Sequence, residues 1–258
     1  MELYINDKLK LLKFANIFQN LKLITEDVKL DFTEKGMYCQ ALGSNHVCLV
    51  ELMILAEWFS DYTIEKNISL GINCEVFHSI FTCLEKNNTF KMKYEDCNDT
   101  LDIIIKSANV EKNFNMRLMM IESGLLDIPS IEYSADIIIE SKSFADYINE
   151  LFMFGDELII CCDGKNNDNI IIETAGDNGK LQMIIEEDYL EEYSVEEDIT
   201  LKMTYAMEYI KKMTNFVKLS KYCELHISKD VPLKMLYKLD DNESNYLSIF
   251  LAPKVEDD

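Results

Sequence analysis

The sequence predicts an α+β protein built from two similar halves, each with two helices packed on antiparallel strands. Two similar segments, FANIFQNL at 14–21 and FADYINEL at 144–151, lie 130 residues apart in a chain of 258 residues. Most other segments alternate apolar and polar residues with a period of two, which is typical of strands with one covered face. The chain has only 3 prolines and 8 glycines, which predicts few and short connections.

The similarity between the halves extends past the first helix. In the strand that follows, apolar residues alternate at matching positions: Val28, Leu30 and Phe32 in the first half, and Leu158, Ile160 and Cys162 in the second. Further on, ALGSN (41–45) matches TAGDN (174–178), and GINCEVFHSI (71–80) matches LKMTYAMEYI (201–210). Four matches in register indicate an internal duplication. Apolar residues at helical spacing predict helices over 9–21, 73–84, 141–153 and 204–217.

A connector separates the predicted halves, which we place at 1–119 and 135–258 with the connector at 120–134. Pro129 and its steric effect on Ile128 favour extended backbone there. The segment is too apolar for a solvated linker, so its apolar side chains are expected to pack on other parts of the protein. Two interpretations remain open: it crosses the surface of both halves, or it is the last strand of one half.

The distribution of charge is uneven. The net charge of −22 argues against a protein that coats nucleic acid by charge alone. Yet 8–22 contains four lysines and no acid, and 202–221 contains five lysines against Glu208 alone. Each run is either a solvated helix face or part of a basic concave surface that contacts phosphates. Arg117 is the only arginine, which nearly excludes bidentate recognition of guanine.

The sequence contains no recognisable catalytic set. It lacks a glycine-rich phosphate loop, a nucleophile elbow and a spaced His/carboxylate metal site. We therefore expect that the protein is not an enzyme and binds no metal and no cofactor. The 8 cysteines make no CxxC pair and are interpreted as core thiols, with a redox or metal role as the alternative. No apolar run is long enough to cross a bilayer and MELYINDKLK lacks a signal peptide's apolar stretch, so we expect a soluble intracellular protein without membrane contact.

Four motifs together resemble one known family. They are LGSNHVCLVEL (42–52), LLDIPSIEYS (125–134), DVPLKMLYKL (230–239) and the C-terminal LAPKVEDD (251–258). They resemble, in order and across the whole chain, segments of the eukaryotic sliding clamp family, proliferating cell nuclear antigen. Each motif alone is weak evidence, whereas the ordered set is specific.

The resemblance implies a DNA-clamp fold and a head-to-tail homotrimeric ring with helices inside and sheets outside. Such a ring encircles double-stranded DNA without sequence preference and acts as a processivity factor for DNA polymerase. It is also a docking hub for the clamp loader and for replication and repair proteins, in the nucleus or at a viral replication site. The DNA-facing residues that follow from it are Lys10, Lys13, Lys22, Lys211, Lys212 and Lys218.

The resemblance also implies a pocket for a partner peptide that contains a glutamine, an aliphatic residue and two aromatic residues. The matching positions are Leu42, His46, Val47, Leu126, Ile128, Pro129, Pro232, Phe250, Ala252, Pro253 and Val255. Ordinary core or edge packing is the alternative role for each of them. Ring closure would use the edge segments 112–119 and 178–185, with contributions from Phe114, Met116, Leu181 and Met183.

The chain also departs from the family pattern. The segment 73–84 predicted as the second helix has no lysine or arginine, and 141–153 has Lys142 beside two acids. Glu208 occupies a position where the family has arginine, and Cys162 one where the family has a modified lysine. An alternative function is therefore a clamp-fold subunit of a heterotrimeric checkpoint ring, or a viral transcription-associated scaffold that does not slide on DNA as a homotrimer.

Overall fold

The computed structural model describes residues 1–85, 87–122, 124–165, 169–177 and 179–254. The chain forms two compact units. Unit 1 comprises residues 1–44, 50–127 and 238–247, and unit 2 comprises 45–49, 128–237 and the chain from 248 onward. Each unit therefore includes a short segment from outside its own half of the sequence. The predicted boundaries at 119 and 134 stay predictions, since the compact units are not two consecutive stretches of chain.

The described residues of unit 1 form two α-helices and nine strands. In chain order they are β1 (Glu2–Ile5), α1 (Lys8–Leu21), β2 (Asp27–Thr33), β3 (Gly36–Leu42), β4 (Cys48–Leu55), β5 (Asp61–Thr63), β6 (Ile68–Asn73), α2 (Cys74–Phe81), β7 (Thr89–Lys93), β8 (Thr100–Lys106) and β9 (Glu111–Arg117). The first two residues of β4 belong to unit 2. Neighbouring strands follow the orders β5-β1-β7-β8-β9 and β4-β3-β2-β6.

Unit 2 repeats this architecture element by element. Its elements are β10 (Ala135–Glu140), α3 (Ser141–Leu151), β11 (Glu157–Asp163), β12 (Asn169–Gly176), β13 (Gly179–Glu186), β14 (Glu192–Val195), β15 (Thr200–Ala206), α4 (Met207–Thr214), β16 (Tyr222–Ile227), β17 (Leu233–Lys238) and β18 (Tyr246–Leu251). The last residue of β17 and the first two residues of β18 belong to unit 1. The strand orders are β14-β10-β16-β17-β18 and β13-β12-β11-β15. The same topology in both units confirms the predicted α+β class and the two similar halves.

The fourth helix differs from its sequence-based prediction. The apolar spacing predicts a start at 204, but residues 204–206 belong to β15, where Thr204 pairs with Ile159 and Tyr205 with Leu158 of β11. The helix prediction for these three residues is wrong, because pairing with an existing strand outweighs a local helical pattern. The second, third and fourth helices end at Phe81, Leu151 and Thr214, before the predicted ends at 84, 153 and 217.

The core of unit 1 is an aromatic cluster that α1 and α2 build together. Asp7 caps α1 by accepting a hydrogen bond from the Lys10 N–H at 2.8 Å, which satisfies a free donor of the first turn. Phe14 and Phe18 follow on one face, with ring centroids 5.1 Å apart. The Phe18 ring also lies edge-on to Phe77 of α2, at 4.6 Å. The edge-to-face geometry adds stabilisation beyond the buried apolar area.

The core of unit 2 depends more on aliphatic side chains. Phe144 and Ile148 of α3 and Ile210 and Met213 of α4 are all buried. Tyr237 is fully buried, and its hydroxyl donates a hydrogen bond to the Met213 carbonyl at 3.0 Å. A buried hydroxyl with a partner costs little to desolvate. The two units thus share a topology but fill it with different side chains.

Five of the cysteines are buried: Cys39, Cys48, Cys74, Cys162 and Cys223. Burial raises the pKa of the last four of these to about 12. Thiols with such pKa values remain protonated at neutral pH and are poor nucleophiles and metal ligands. This environment is that of packed core residues.

Candidate functional site

The C-terminal segment 252–254, called the tail, is held against unit 2. The Ala252 N–H donates to the Val47 carbonyl at 2.9 Å, and the Lys254 N–H donates to the Thr204 carbonyl of β15 at 2.8 Å. The Lys254 ammonium group pairs with Glu157 of β11. The tail therefore has a defined backbone position. The next predicted pocket residue, Val255, lies outside the described residues.

The loop 45–47, called the pocket loop, lies beside the tail in unit 2. Its middle residue, His46, is exposed and has a φ of 59°, a left-handed conformation that is uncommon for residues other than glycine. The Asn45 side-chain amide donates to the Tyr209 hydroxyl of α4 at 2.8 Å, and the Val47 carbonyl accepts the bond from the tail. Both ends of the loop are therefore anchored, while the side chains of His46 and Val47 are exposed.

The remaining pocket residues are placed unit by unit. In unit 2, Ile128, Ala252 and Pro253 are half-buried, Pro129 and Pro232 are exposed, and Phe250 is buried. In unit 1, Leu42 is half-buried and Leu126 is 49% exposed. The structure brings the pocket loop and the tail together through backbone contact, and the full pocket stays a prediction.

Gln40 of β3 holds Leu126 in place and was missed by the sequence analysis. The Leu126 N–H donates to Gln40 Oε1 at 2.6 Å, and Gln40 Nε2 donates to the Leu126 carbonyl at 3.0 Å. This two-way bond satisfies the connector backbone as a neighbouring strand would. A polar residue on the solvent face of a strand gives no sequence signal for such a partner, which lies 86 residues away.

The predicted DNA-facing lysines of α1 are largely engaged within unit 1. Lys10 Nζ donates to the Trp58 carbonyl at 2.7 Å, and Lys13 Nζ donates to the Leu239 carbonyl at 2.5 Å. Desolvation lowers the pKa of Lys13, although Asp240 and Asp241 nearby act in the opposite direction. On the adjoining turn, Lys22 pairs with Glu75 of α2 at 3.0 Å.

The lysines of α4 are half-buried, as are Lys10 and Lys13, and they lie over aromatic rings. Lys211 Nζ is 4.0 Å from the centroid of the Phe152 ring, and Lys212 Nζ is 4.7 Å from that of Tyr209. Lys212 is also 3.4 Å from Glu208. Lys218, beyond the end of α4, is exposed. On α1, exposed Lys8 is not among the predicted DNA-facing residues, although it belongs to the same basic run.

The predicted interface residues lie on two strands at the ends of their sheet orders. β9 follows β8 at one end, and β13 precedes β12 at one end. Phe114, Leu181 and Met183 are half-buried, whereas Met116 is only 4% exposed and packs into its own unit. Ile184, which the sequence analysis did not select, is 61% exposed on β13.

Candidate metal clusters and membrane-spanning helices are absent from the described part of the chain. Its residues include no group of three or more His, Cys, Asp or Glu side chains arranged to hold a metal ion. None of its helices is both long enough and apolar enough to span a bilayer.

His226 lies between two carboxylates in unit 2. Its Nδ1 is 2.5 Å from Asp136 of β10, and its Nε2 is 3.5 Å from Glu224 on its own strand. The Tyr133 ring lies 5.5 Å away, centroid to centroid. Desolvation is the largest single influence and lowers the His226 pKa, but hydrogen bonds to Glu224 and Asp136 outweigh it, so the pKa is raised overall despite Lys234 nearby.

This cluster predicts a pH-dependent contribution to stability. Because the folded state raises the His226 pKa, the stabilisation is fully present below the unfolded pKa of about 6.5 and is lost as the pH rises through the folded value. The free energy of unfolding of His226→Gln should therefore fall less steeply with rising pH than that of the unmodified protein. Urea unfolding at a series of pH values measures the difference. His46→Gln, which changes an exposed histidine, is the control. An unchanged pH profile in His226→Gln would contradict the assignment.

Comparison with protein-family models agrees with this architecture. Residues 7–125 match the model described as proliferating cell nuclear antigen, N-terminal domain. Residues 127–254 match the model described as proliferating cell nuclear antigen, C-terminal domain. The two matches meet inside the connector and together span nearly the whole chain, and the duplicated α+β topology fits a two-domain clamp fold. The chain belongs to the proliferating cell nuclear antigen family of clamp proteins.

Proposed function

We propose that the protein is a DNA sliding clamp, a ring of three copies that encloses duplex DNA and tethers DNA polymerase and other replication and repair proteins. The observation that supports this most is that β9 in unit 1 and β13 in unit 2 each end a sheet order of the described residues and carry the predicted interface residues. Strands β5, β6, β14 and β15 also end a sheet order but carry none of those residues. Two unlike edges on one chain allow head-to-tail pairing between copies, and such heterologous contacts form a ring when the rotation closes. Pairing would also satisfy the backbone groups of both edges.

The proposed contact with DNA is electrostatic and weak. The exposed surfaces of the helices are mixed: Leu9 and Leu12 of α1 are 71% and 52% exposed, while Glu150 of α3 faces solvent. Lys8, Lys142, Lys218 and Lys221 are exposed on or beside the helices, and Lys211 and Lys212 are half-buried. Lysines contact phosphates without reading bases. A loosely held duplex suits a protein that moves along DNA.

The proposed partner is a peptide with a glutamine, an aliphatic residue and two aromatic residues, bound at the pocket loop, the connector and the tail. Two aromatic side chains that bury about 150–250 Å² each gain roughly 8–12 kcal/mol at ~25 cal/mol per Å². Association costs of about 4–15 kcal/mol offset much of that gain. The net gain is at most about 8 kcal/mol, which corresponds to micromolar, exchangeable binding, as a docking hub for successive partners requires. The role is that of a scaffold without catalysis, in the nucleus or at a viral replication site.

The first experiment is the solution mass by light scattering at a few micromolar protein in moderate salt. Three copies of the 30.0-kDa chain give about 90 kDa. A trimer that is then retained on circular DNA and released when the DNA is cut would support the sliding clamp. A mass of about 30 kDa, one chain, would overturn the homotrimer and favour a subunit of a mixed ring or a scaffold that does not slide.

The different surroundings of the lysines predict different effects on DNA binding. Lys218→Met removes an exposed charge and should weaken duplex binding and reduce its salt dependence. Lys13→Met removes an ammonium group already bonded to the Leu239 carbonyl, so it should leave DNA binding nearly unchanged and destabilise unit 1 by about 1–3 kcal/mol. Fluorescence anisotropy with labelled duplex and urea unfolding measure the two effects. An equal loss of DNA affinity in both variants would contradict the prediction.

A further inference from the structure

Three side chains of unit 2 connect α4 with the pocket loop. The Tyr209 hydroxyl accepts a hydrogen bond from the Asn45 side-chain amide at 2.8 Å. The face of the same tyrosine ring is covered by Lys212, whose Nζ lies 4.7 Å from the centroid. One tyrosine therefore contacts the loop with its hydroxyl and a lysine of α4 with its ring.

Two hydrogen bonds between described residues anchor the pocket loop. Asn45 is held by Tyr209, and Val47 is held by the tail through the Ala252 N–H at 2.9 Å. Between them, His46 adopts a left-handed φ of 59°, which persists only where the surrounding structure maintains it. Loss of either anchor should therefore free the loop.

We propose that Tyr209 is a positioning residue that couples Lys212 to the pocket loop, so that DNA at α4 and a peptide at the loop strengthen each other's binding. The inference rests on the proposed function, which supplies duplex DNA and the peptide as the two ligands. Both contacts of Tyr209 lie within unit 2.

The coupling follows from the order in which the side chains become fixed. A phosphate that binds Lys212 restrains the ammonium group over the Tyr209 ring. The restrained ring then keeps its hydrogen bond with Asn45 for a larger fraction of the time. The loop has less freedom left to lose when the peptide arrives, which is a source of positive cooperativity. Coupling between binding sites is reciprocal, so the peptide strengthens DNA binding by the same factor.

The adjacent lysine provides a control for the ring contact, although Lys212 also pairs with Glu208 at 3.4 Å. Lys211 has the same charge and lies on the same helix, but its Nζ lies over the Phe152 ring at 4.0 Å and not over Tyr209. Tyr209→Phe removes the acceptor for Asn45 and keeps the ring beneath Lys212. A midpoint of urea unfolding equal to that of the unmodified protein would show that a variant remains folded.

The test combines two measurements on the full chain. Hydrogen–deuterium exchange of the segment 44–48 is followed with and without a short linear DNA duplex, and the affinity for a labelled peptide of the proposed class is measured under both conditions. In the wild-type protein, saturating duplex should slow exchange in this segment and lower the peptide Kd by about threefold to tenfold, near the lower end of typical couplings. In Tyr209→Phe both effects should disappear.

A third comparison needs neither ligand. Without DNA or peptide, Lys212→Met should speed exchange in the segment 44–48, whereas Lys211→Met should not. Equal exchange in these two variants, or an undiminished DNA effect in Tyr209→Phe, would overturn the inference. If no peptide binds the wild-type protein while Lys212→Met and Tyr209→Phe both loosen the loop, the positioning role stands and the proposed peptide pocket fails.

Discussion

Replacing Leu181 and Met183 by lysine should convert a mass of about 90 kDa to about 30 kDa, the masses of three copies and of one. Both side chains are half-buried on β13, the strand at one end of its sheet order. Because each is already half-buried, its burial in a subunit interface would contribute only part of the about 1.5–3 kcal/mol of a fully exposed side chain. An inward-pointing charge on an edge strand also opposes pairing. Light scattering across a concentration series measures the change.

The control for this prediction is Gln182→Lys on the same strand. Gln182 is exposed and its amide contacts Glu173 at 2.6 Å, so a lysine there keeps a favourable partner while adding positive charge. This variant should retain the mass of the unmodified protein. A double variant that remains trimeric at the lowest concentration would show that β13 does not close the ring.

Phe18→Ala should lower the free energy of unfolding by about 3–5 kcal/mol, the cost of removing a large aromatic side chain from a packed core. The Phe18 ring is fully buried and contacts three other rings, those of Phe14, Phe77 and Phe81. Truncation leaves a cavity that these rings can fill only partly. Urea unfolding followed by circular dichroism gives the difference.

Leu12→Ala on the same helix is the matched control. Leu12 is 52% exposed, and substitutions at such positions usually change stability by less than about 0.5 kcal/mol. Similar losses in the two variants would mean that the aromatic cluster does not dominate the stability of unit 1.

The fold is largely predictable because its signals are local. The apolar stripe at 14–21 and its counterpart at 144–151 lie on α1 and α3, and the alternating segments are strands. The largest departure at a helix start is that of α4, where pairing of Thr204 with Ile159 keeps the chain extended. That pairing depends on a strand far away in the sequence, so no local pattern shows it.

The candidate site is less predictable, because its details depend on contacts between distant residues. The lysines of α1 are visible as a basic run, but the Lys13 ammonium group binds a carbonyl 226 residues away. Likewise, the bond between Asn45 and Tyr209 joins positions 164 residues apart. Residue types and spacing show where charged side chains lie in the sequence. Only the fold shows which of them already bond to other groups of the protein.

The burial of five thiols has a practical consequence for following this protein by fluorescence. Of the 8 cysteines, all within the described residues, Cys97 is the one that is exposed, with Cys83 and Cys161 partly covered. A maleimide dye at limiting concentration should therefore couple first at Cys97, since attack requires an accessible thiolate. The native chain thus offers a labelling position for single-molecule tracking without engineered cysteines.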